Sequence, residues 1–435
     1  MMAVQHASSE ARVLIKRAFW TLVDQSVVSL GNFIINVELA RTLPASEYGK
    51  FALFLGAIFV FRAIDYSLIS YPLSVRLGSA PRSEHGALLA NTGLLAAMLA
   101  LILALLLAIG VVLLGGNDIL FAAVACYLFW QAQETTRRCL LADFRYRAAV
   151  AGDTISFIGQ AVAIALLSWT DLLTLTSALW AMSVTFLAGA LVHVSKLEFA
   201  RPRLAEVKQL ASDYISLGKW SLLNYELVLA RVQLFSWTLA AASGAAATAS
   251  FQAALNIANL MNPIIFGIGN AIPQAAARAH ASGGVAGAAL VARGYTLFGL
   301  VPILVICGGG LLMPKYLLCL LYGNDSPYLN LSFGVQALLV AGVAEYVAEM
   351  ISKTLLGVER GKLAFKVNVA GIAAAVFALP LIIPLGVVGA CLALAIANLV
   401  RLIVAMMAIA WLIGAEKAQL PGQKTATAVA AAREA

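Results

Sequence analysis

Three arginines, Arg62, Arg231 and Arg401, stand inside long apolar runs, and five carboxylates, Asp24, Asp65, Glu226, Glu345 and Glu349, lie deep within them. An arginine at the centre of a bilayer costs at least about 2.5 kcal/mol, so each is expected to face a protein interior or a watery cavity rather than lipid. A guanidinium presents a planar fork of donors to phosphate, which makes the three arginines candidates for holding an anionic group. Arg62 also has a bland reading, because Asp65 lies three residues on and the two can pair on one helical face. Glu345 and Glu349 stack one turn apart. They repel unless one is protonated, binds a cation or meets an arginine from another helix, so with Asp24 they are the candidates for proton or sodium coupling. Asn256, Asn259 and Asn262 recur every third residue just before Pro263. Such an amide stripe serves either to bond sugar hydroxyls or to tie one helix to the next.

Catalysis is not indicated. Of the four histidines, His6, His85 and His280 fall in tails or loops and His193 ends an apolar run, and none has metal-ligand spacing with another His or Cys. The five cysteines lie in or beside apolar runs without paired short spacings and read as small buried residues. No cofactor and no metal are expected. A membrane glycosyltransferase, polymerase or ligase, the enzyme alternative, should fold a large outer loop, whereas the longest here, 314–330, has only about 17 residues.

Those residues need helices that cross a membrane. The chain has 435 residues, 62% hydrophobic and 11% charged, with a mean hydropathy of +0.91. That leaves too little polar surface for a soluble protein. About twenty apolar residues on a helix span a hydrocarbon core of roughly 30 Å. Twelve such spans are expected, at 18–41, 51–72, 86–114, 118–136, 148–169, 172–194, 215–240, 246–272, 291–313, 331–352, 365–385 and 387–413. The first is too long and too polar for a cleaved signal and is expected to stay as an anchor. The net charge of +8 does not point to nucleic acid, because no basic run is interleaved with aromatics. Instead, about two dozen Lys and Arg fall in the loops and tails on the side of the N-terminus, against Arg41, Lys50 and Lys315 opposite, which puts both termini in the cytoplasm.

The chain also repeats itself. Trp20-Thr21-Leu22 returns as Trp220-Ser221-Leu222, Phe51 as Phe251 and Pro72 as Pro273, an offset of about 200 residues that keeps six spans in each half. Leu140-Leu141 with Arg145 and Arg147 returns as Leu355-Leu356 with Arg360 and Lys362. The expected domains are a six-helix lobe over 1–195, a linker over 196–214 with the pattern of a helix on the cytoplasmic membrane surface, a second six-helix lobe over 215–413, and a disordered cytoplasmic tail over 414–435. A second interfacial segment is expected over 274–284, after Pro273. Pro263, Pro302, Pro380 and Pro384 should loosen their helices.

Trp20-Thr21-Leu22, Gln25, Leu39-Ala40-Arg41 and Glu47-Tyr48-Gly49-Lys50-Phe51, with Leu321-Tyr322-Gly323 before the tenth span, together resemble the polysaccharide transporters that flip lipid-linked oligosaccharides. These belong to the multidrug, oligosaccharidyl-lipid and polysaccharide exporter superfamily. The resemblance implies an all-α polytopic fold like that of the multidrug exporters (MATE-like), with twelve transmembrane helices in two pseudo-symmetric lobes around a cavity open to alternate sides. It implies a polyprenyl-diphosphate-linked oligosaccharide as substrate, a bacterial inner membrane as the location, and the machinery that polymerises and exports polysaccharide as partners. The alternative within the same fold is a cation-coupled exporter of amphipathic small molecules. One feature fits the resemblance poorly, since five carboxylates against three arginines make a less cationic interior than an anionic headgroup favours.

Overall fold

The computed structural model of the chain describes the backbone of residues 2–434; the side chains of residues 1–19, 21–22, 78–79, 220, 223–228, 230, 417 and 419–435 lie outside the described set, and with them the expected charge Glu226. All described secondary structure is helical. Contacts divide the chain into two compact units, Met1–Ala253 with Leu321–Ser326, and Ala254–Leu320 with Pro327–Ala435.

The first unit holds α1 (Met2–Thr42), α2 (Ala45–Asp65), α3 (Tyr71–Ser79), α4 (Arg82–Leu113), α5 (Leu120–Ala142), α6 (Tyr146–Asp153), α7 (Gly159–Trp169), α8 (Leu175–Val194), α9 (Leu204–Ser243) and most of α10 (Ala245–Ala258). The second holds α11 (Asn262–Gly269), α12 (Ile272–Leu312), most of α13 (Pro314–Tyr322), α14 (Ser332–Gly357), α15 (Gly361–Ala378) and α16 (Ile382–Glu434). Each of the twelve expected spans falls on one of these helices or on two in line. Among the described residues seven helical stretches are long and apolar enough to cross a membrane by composition, and two of them, Ala245–Leu312 and Gly361–Glu416, have the length for two passes each. It is a multi-pass membrane protein. α1, α5 and α9 are not among the seven; the last half of α5 carries Gln131, Gln133, Glu134, Arg137 and Arg138, and burial inside the first unit replaces hydropathy as the reason it is held.

The interruptions within helices fall at matching places in the two halves. Short π segments, Tyr66–Ser70 and Thr154–Ile158, break the second and fifth spans, and 3-10 turns, Asn259–Met261 and Leu379–Leu381, break the eighth and eleventh. Pro380 lies in one 3-10 turn and Pro263 just beyond the other, where a missing N–H and a ring clash loosen the helical ladder. The Leu-Leu-Arg echo is a real structural repeat. Phe144 and Glu359 both take positive φ, 60° and 59°. Arg145 N–H donates to Leu140 O and Arg360 N–H to Leu355 O, both at 2.8 Å.

Several local expectations change. The chain reverses at Leu43-Pro44 and α2 begins at Ala45, ahead of the second span expected from 51, so Glu47-Tyr48-Gly49 lies inside the helix. There Glu47 accepts from Leu175 N–H at the start of α8 (3.3 Å), Tyr48 is fully buried, and Gly49 lies so close to the Ala245 backbone that a Cβ would collide with it. No breaker separates the expected linker helix from the seventh span, so both are one helix, α9, and its N-terminal part is strapped to the first lobe. Arg76 bonds Asp213, Asn91 donates to Glu206 (2.8 Å), and Thr92 bonds Tyr214 (2.9 Å). α12 is helical over the second expected interfacial segment and kinks at Gly283-Gly284 (φ −132° and 62°), beyond which Glu416 accepts from Val285 N–H at 2.8 Å and caps the restarted helix. The last helix reverses direction at Gly386 (φ 53°) and continues to Glu434, through the tail expected to be disordered. Alanine-rich sequence, with Gln and Lys between, favours that helix even though Pro421 and Gly422 do not.

Candidate functional site

Each unit encloses a cluster of charges, built in the first on α1, α2, α5, α6 and α8 and in the second on α14, α15 and α16. In the first, α5 supplies the centre. Arg137, only 4% exposed, sends its three nitrogens to three carboxylates. It bonds Asp24 of α1, Asp153 of α6 at 2.5 Å and Glu134, one turn back on its own helix, at 3.1 Å. A guanidinium with five donors in a fixed fork can satisfy all three, where a lysine could not match that planar geometry. Gln133 donates to the other oxygen of Asp153 (2.6 Å). Glu134 also accepts from Arg138 (2.7 Å) and lies 3.7 Å from Arg62. His193, at the end of α8, is fully buried with Nε2 3.0 Å from Ala149 O and 3.7 Å from Asp153. Asp65 turns from the ions to neutral partners, accepting from Gln131 (2.6 Å) and Ser70 (3.2 Å).

In the second unit α16 supplies the centre. Arg401, 1% exposed, donates to Glu345 (3.0 Å) and Glu349 (2.5 Å) of α14 and, through Nε, to Asn368 of α15 (3.1 Å). Lys353 lies 3.5 Å from Glu349. The side chains of Glu345 and Glu349 keep 23% and 21% of their exposure, so this cluster opens to its surroundings where the first is closed.

These geometries settle where the expected residues lie. Arg401 does not line an open cavity: its partners, invisible as neighbours in sequence, come from α14 and α15 and close it off. Glu345 and Glu349 resolve their repulsion by sharing that arginine. Arg62 pairs with Glu134 rather than Asp65 and remains 34% exposed. Arg231 is buried at 4%, and so is Asn256, while Asn259 is exposed and accepts from Asn262 (3.2 Å). Asp24 is buried against Arg137. Sequence reasoning missed Arg137, Glu134, Asp153 and His193, having placed Arg137 and Arg138 in a loop. A signal was present: Glu134, Arg137 and Arg138 are spaced for i,i+3 and i,i+4 pairing on a helix, and Asp153 sits in an apolar run. Among the described residues no group of His, Cys, Asp and Glu is arranged to hold a metal ion, and all five cysteines are free thiols.

No family model matches the chain, and no curated protein is similar to it in sequence. Solved structures are similar in fold. A multidrug resistance MATE family transporter of the MOP superfamily, inward-facing, aligns over 90% of this chain and 98% of its own with a TM-score of 0.69 and 17% identity. The lipid II flippase MurJ, in an inward closed conformation, aligns over 89% and 87% with a TM-score of 0.72 and 11% identity. The fold is that of the MOP-superfamily transporters. A further MOP-superfamily transporter, from Pyrococcus furiosus and described by a reversed polarity of its binding pocket, aligns over 93% and 96% with a TM-score of 0.66 and 14% identity. The same fold is thus found both in a multidrug resistance transporter and in a lipid II flippase.

Proposed function

We propose that this MOP-fold protein is a transporter that moves a polyprenyl-diphosphate-linked oligosaccharide from the cytoplasmic to the outer leaflet of a bacterial inner membrane by alternating access. Both termini are cytoplasmic, and the machinery that polymerises and exports the polysaccharide is its partner. The observation that carries this reading is the charge balance of the first lobe. Arg137 and Arg138 join Arg62 around Asp24, Glu134 and Asp153, three cations against three carboxylates, so this cluster is balanced where the sequence count of five carboxylates to three arginines pointed to an acidic interior. Arg62, paired with Glu134 but a third exposed, is the most open of the three arginines and so the one best placed to meet a phosphate. A diphosphate cannot cross hydrocarbon unaided, and an inside-negative potential drives it outward by about 2.3 kcal/mol per charge per 100 mV. Arg231, Asn256 and Asn259 are the further substrate contacts in this reading, the amides for sugar hydroxyls. Asp24, Glu345 and Glu349 are the groups through which an ion would couple.

Deletion of the protein tests the proposal: lipid-linked saccharide should accumulate on the cytoplasmic leaflet, and accumulation on the outer leaflet would contradict it. The partial exposure of Glu345 and Glu349 favours a second reading, a cation-coupled exporter of amphipathic compounds. That reading predicts sensitivity to such compounds on deletion, with normal saccharide.

A further inference from the structure

The sequence repeat assigns α9 to the second half, because its Trp220-Ser221-Leu222 repeats Trp20-Thr21-Leu22 of α1. α1 keeps to its own half. Asp24 bonds Arg137, and Gly31 lies so close to Phe157 of the second π segment that a Cβ would collide with it. α9 does not keep to its half: all of it falls in the first unit, laid along α2.

The seam between α2 and α9 is continuous. At one end Arg76, on α3, donates to Asp213 (Nε to Oδ2, 2.7 Å), and Gly218 meets the Ser67 carbonyl of the first π segment so closely that any side chain would collide with it. Midway, Gly56 leaves room for the Gln233 amide. At the other end Gly49 meets the backbone of Ala245, just past the end of α9. From Gly218 to Ser243 the helix rises about 40 Å, more than a hydrocarbon core of roughly 30 Å, so the seam runs from one face of a membrane to the other.

In alternating access two bodies part at one face while they close at the other. A seam closed at both faces is therefore either a momentary state with both gates shut or the interior of one body. The Arg76 end decides for the second. Tyr214 is fully buried in the apolar core formed by Leu73, Leu89, Leu140 and Leu197, and its hydroxyl bonds that of Thr92 (2.9 Å), also fully buried. Parting there would open a core and strand two hydroxyls. Beyond Gly218, α9 holds neither Gly nor Pro to bend at, so its far end follows its near end. We infer that the seventh span travels with the first lobe, so that the moving bodies divide after the seventh span and not after the sixth. The inference rests on the alternating access proposed above and not on the cargo.

Distances between spin labels on the full chain in phosphatidylethanolamine and phosphatidylglycerol vesicles test it. Cys319→Ser removes the one cysteine that is not buried. One pair, Ser74→Cys with Gln209→Cys, straddles the Arg76 end of the seam, and a second, Ser46→Cys with Ser243→Cys, straddles the Gly49 end; all four side chains are exposed. A control pair, Ser46→Cys with Asn330→Cys, has one label in each unit. Acid pH, sodium, an inside-negative potential and added polyprenyl diphosphate are applied in turn. The control distance should shift by about 5 Å, the scale of a one-turn displacement, while neither seam distance shifts. A shift in either seam pair alongside the control would overturn the inference and leave alternating access standing. A control that never shifts would sink alternating access, and this inference with it. A reducible bifunctional thiol linker across either seam pair should leave the chain able to complement its deletion. Function lost on linking and restored by reduction would also overturn the inference.

Discussion

In the first lobe the arginine that gathers the carboxylates comes from the fourth span, and in the second lobe it comes from the twelfth. Three further positions of the two clusters correspond along the same repeat that relates Phe144 to Glu359. Glu134 with Arg138 one turn on matches Glu349 with Lys353, each an i,i+4 ion pair. Asp153, which accepts from Arg137, matches Asn368, which accepts from Arg401. His193 and Arg401 both stand on the last span of their halves. The difference is instructive. One buried guanidinium among carboxylates is a requirement both halves share, but the helix that donates it is free to change, provided its fork reaches the same oxygens. Where the arginine sits on α5, the acid on the fifth span is kept as Asp153. Where it sits on α16, with two glutamates already bonded, the same place is a neutral amide.

The closed and open character of the clusters orders the expected effects of breaking them. Arg137→Met should be the most damaging change, because it leaves Asp24 and Asp153 buried without their cation while Glu134 keeps Arg138, a loss of about 3–5 kcal/mol. Thermal unfolding in detergent should show it as a large drop in midpoint or no folded protein. Arg401→Met should cost less, about 2–3 kcal/mol, since Glu345 and Glu349 retain some solvent and Glu349 keeps Lys353. Equal losses for the two would show that the lobes are not differently closed. Asp153→Asn copies the second lobe into the first and removes one charge-assisted bond, at about 1.5–3 kcal/mol; the reciprocal Asn368→Asp should change the midpoint less. A pair of equal and opposite shifts would instead argue that the two sites are interchangeable.

The smallest effect is expected at the strap on α9. Glu206 is held below the ordinary glutamate range by its bond from Arg203, then by that from Asn91. A depressed folded value means that this stabilisation is present at neutral pH and fades as pH falls through the folded value, below the ordinary range. Unfolding midpoints of the native chain should therefore decline slightly in acid, and Glu206→Gln should flatten that part of the profile. The side chain is solvent-exposed, so a large acid-induced loss traced to Glu206 would mean the strap does more than it shows.

Length and hydropathy marked most of the helices, because a helix that must cross hydrocarbon declares itself by about twenty apolar residues in a row, and the sequence echo returned in the matching turns at Phe144 and Glu359. The Glu345–Glu349 stack was equally legible, because i and i+4 are neighbours on any helix. Tertiary structure decided what answers each charge. Asp24 and Arg137 are joined across more than a hundred residues, and Arg401 meets Glu345 across more than fifty. Neither separation leaves a mark in local pattern. Hydropathy also misplaced the fourth span's end, since a polar half-helix reads as a loop whether it meets water or, as here, a buried ring of opposite charge.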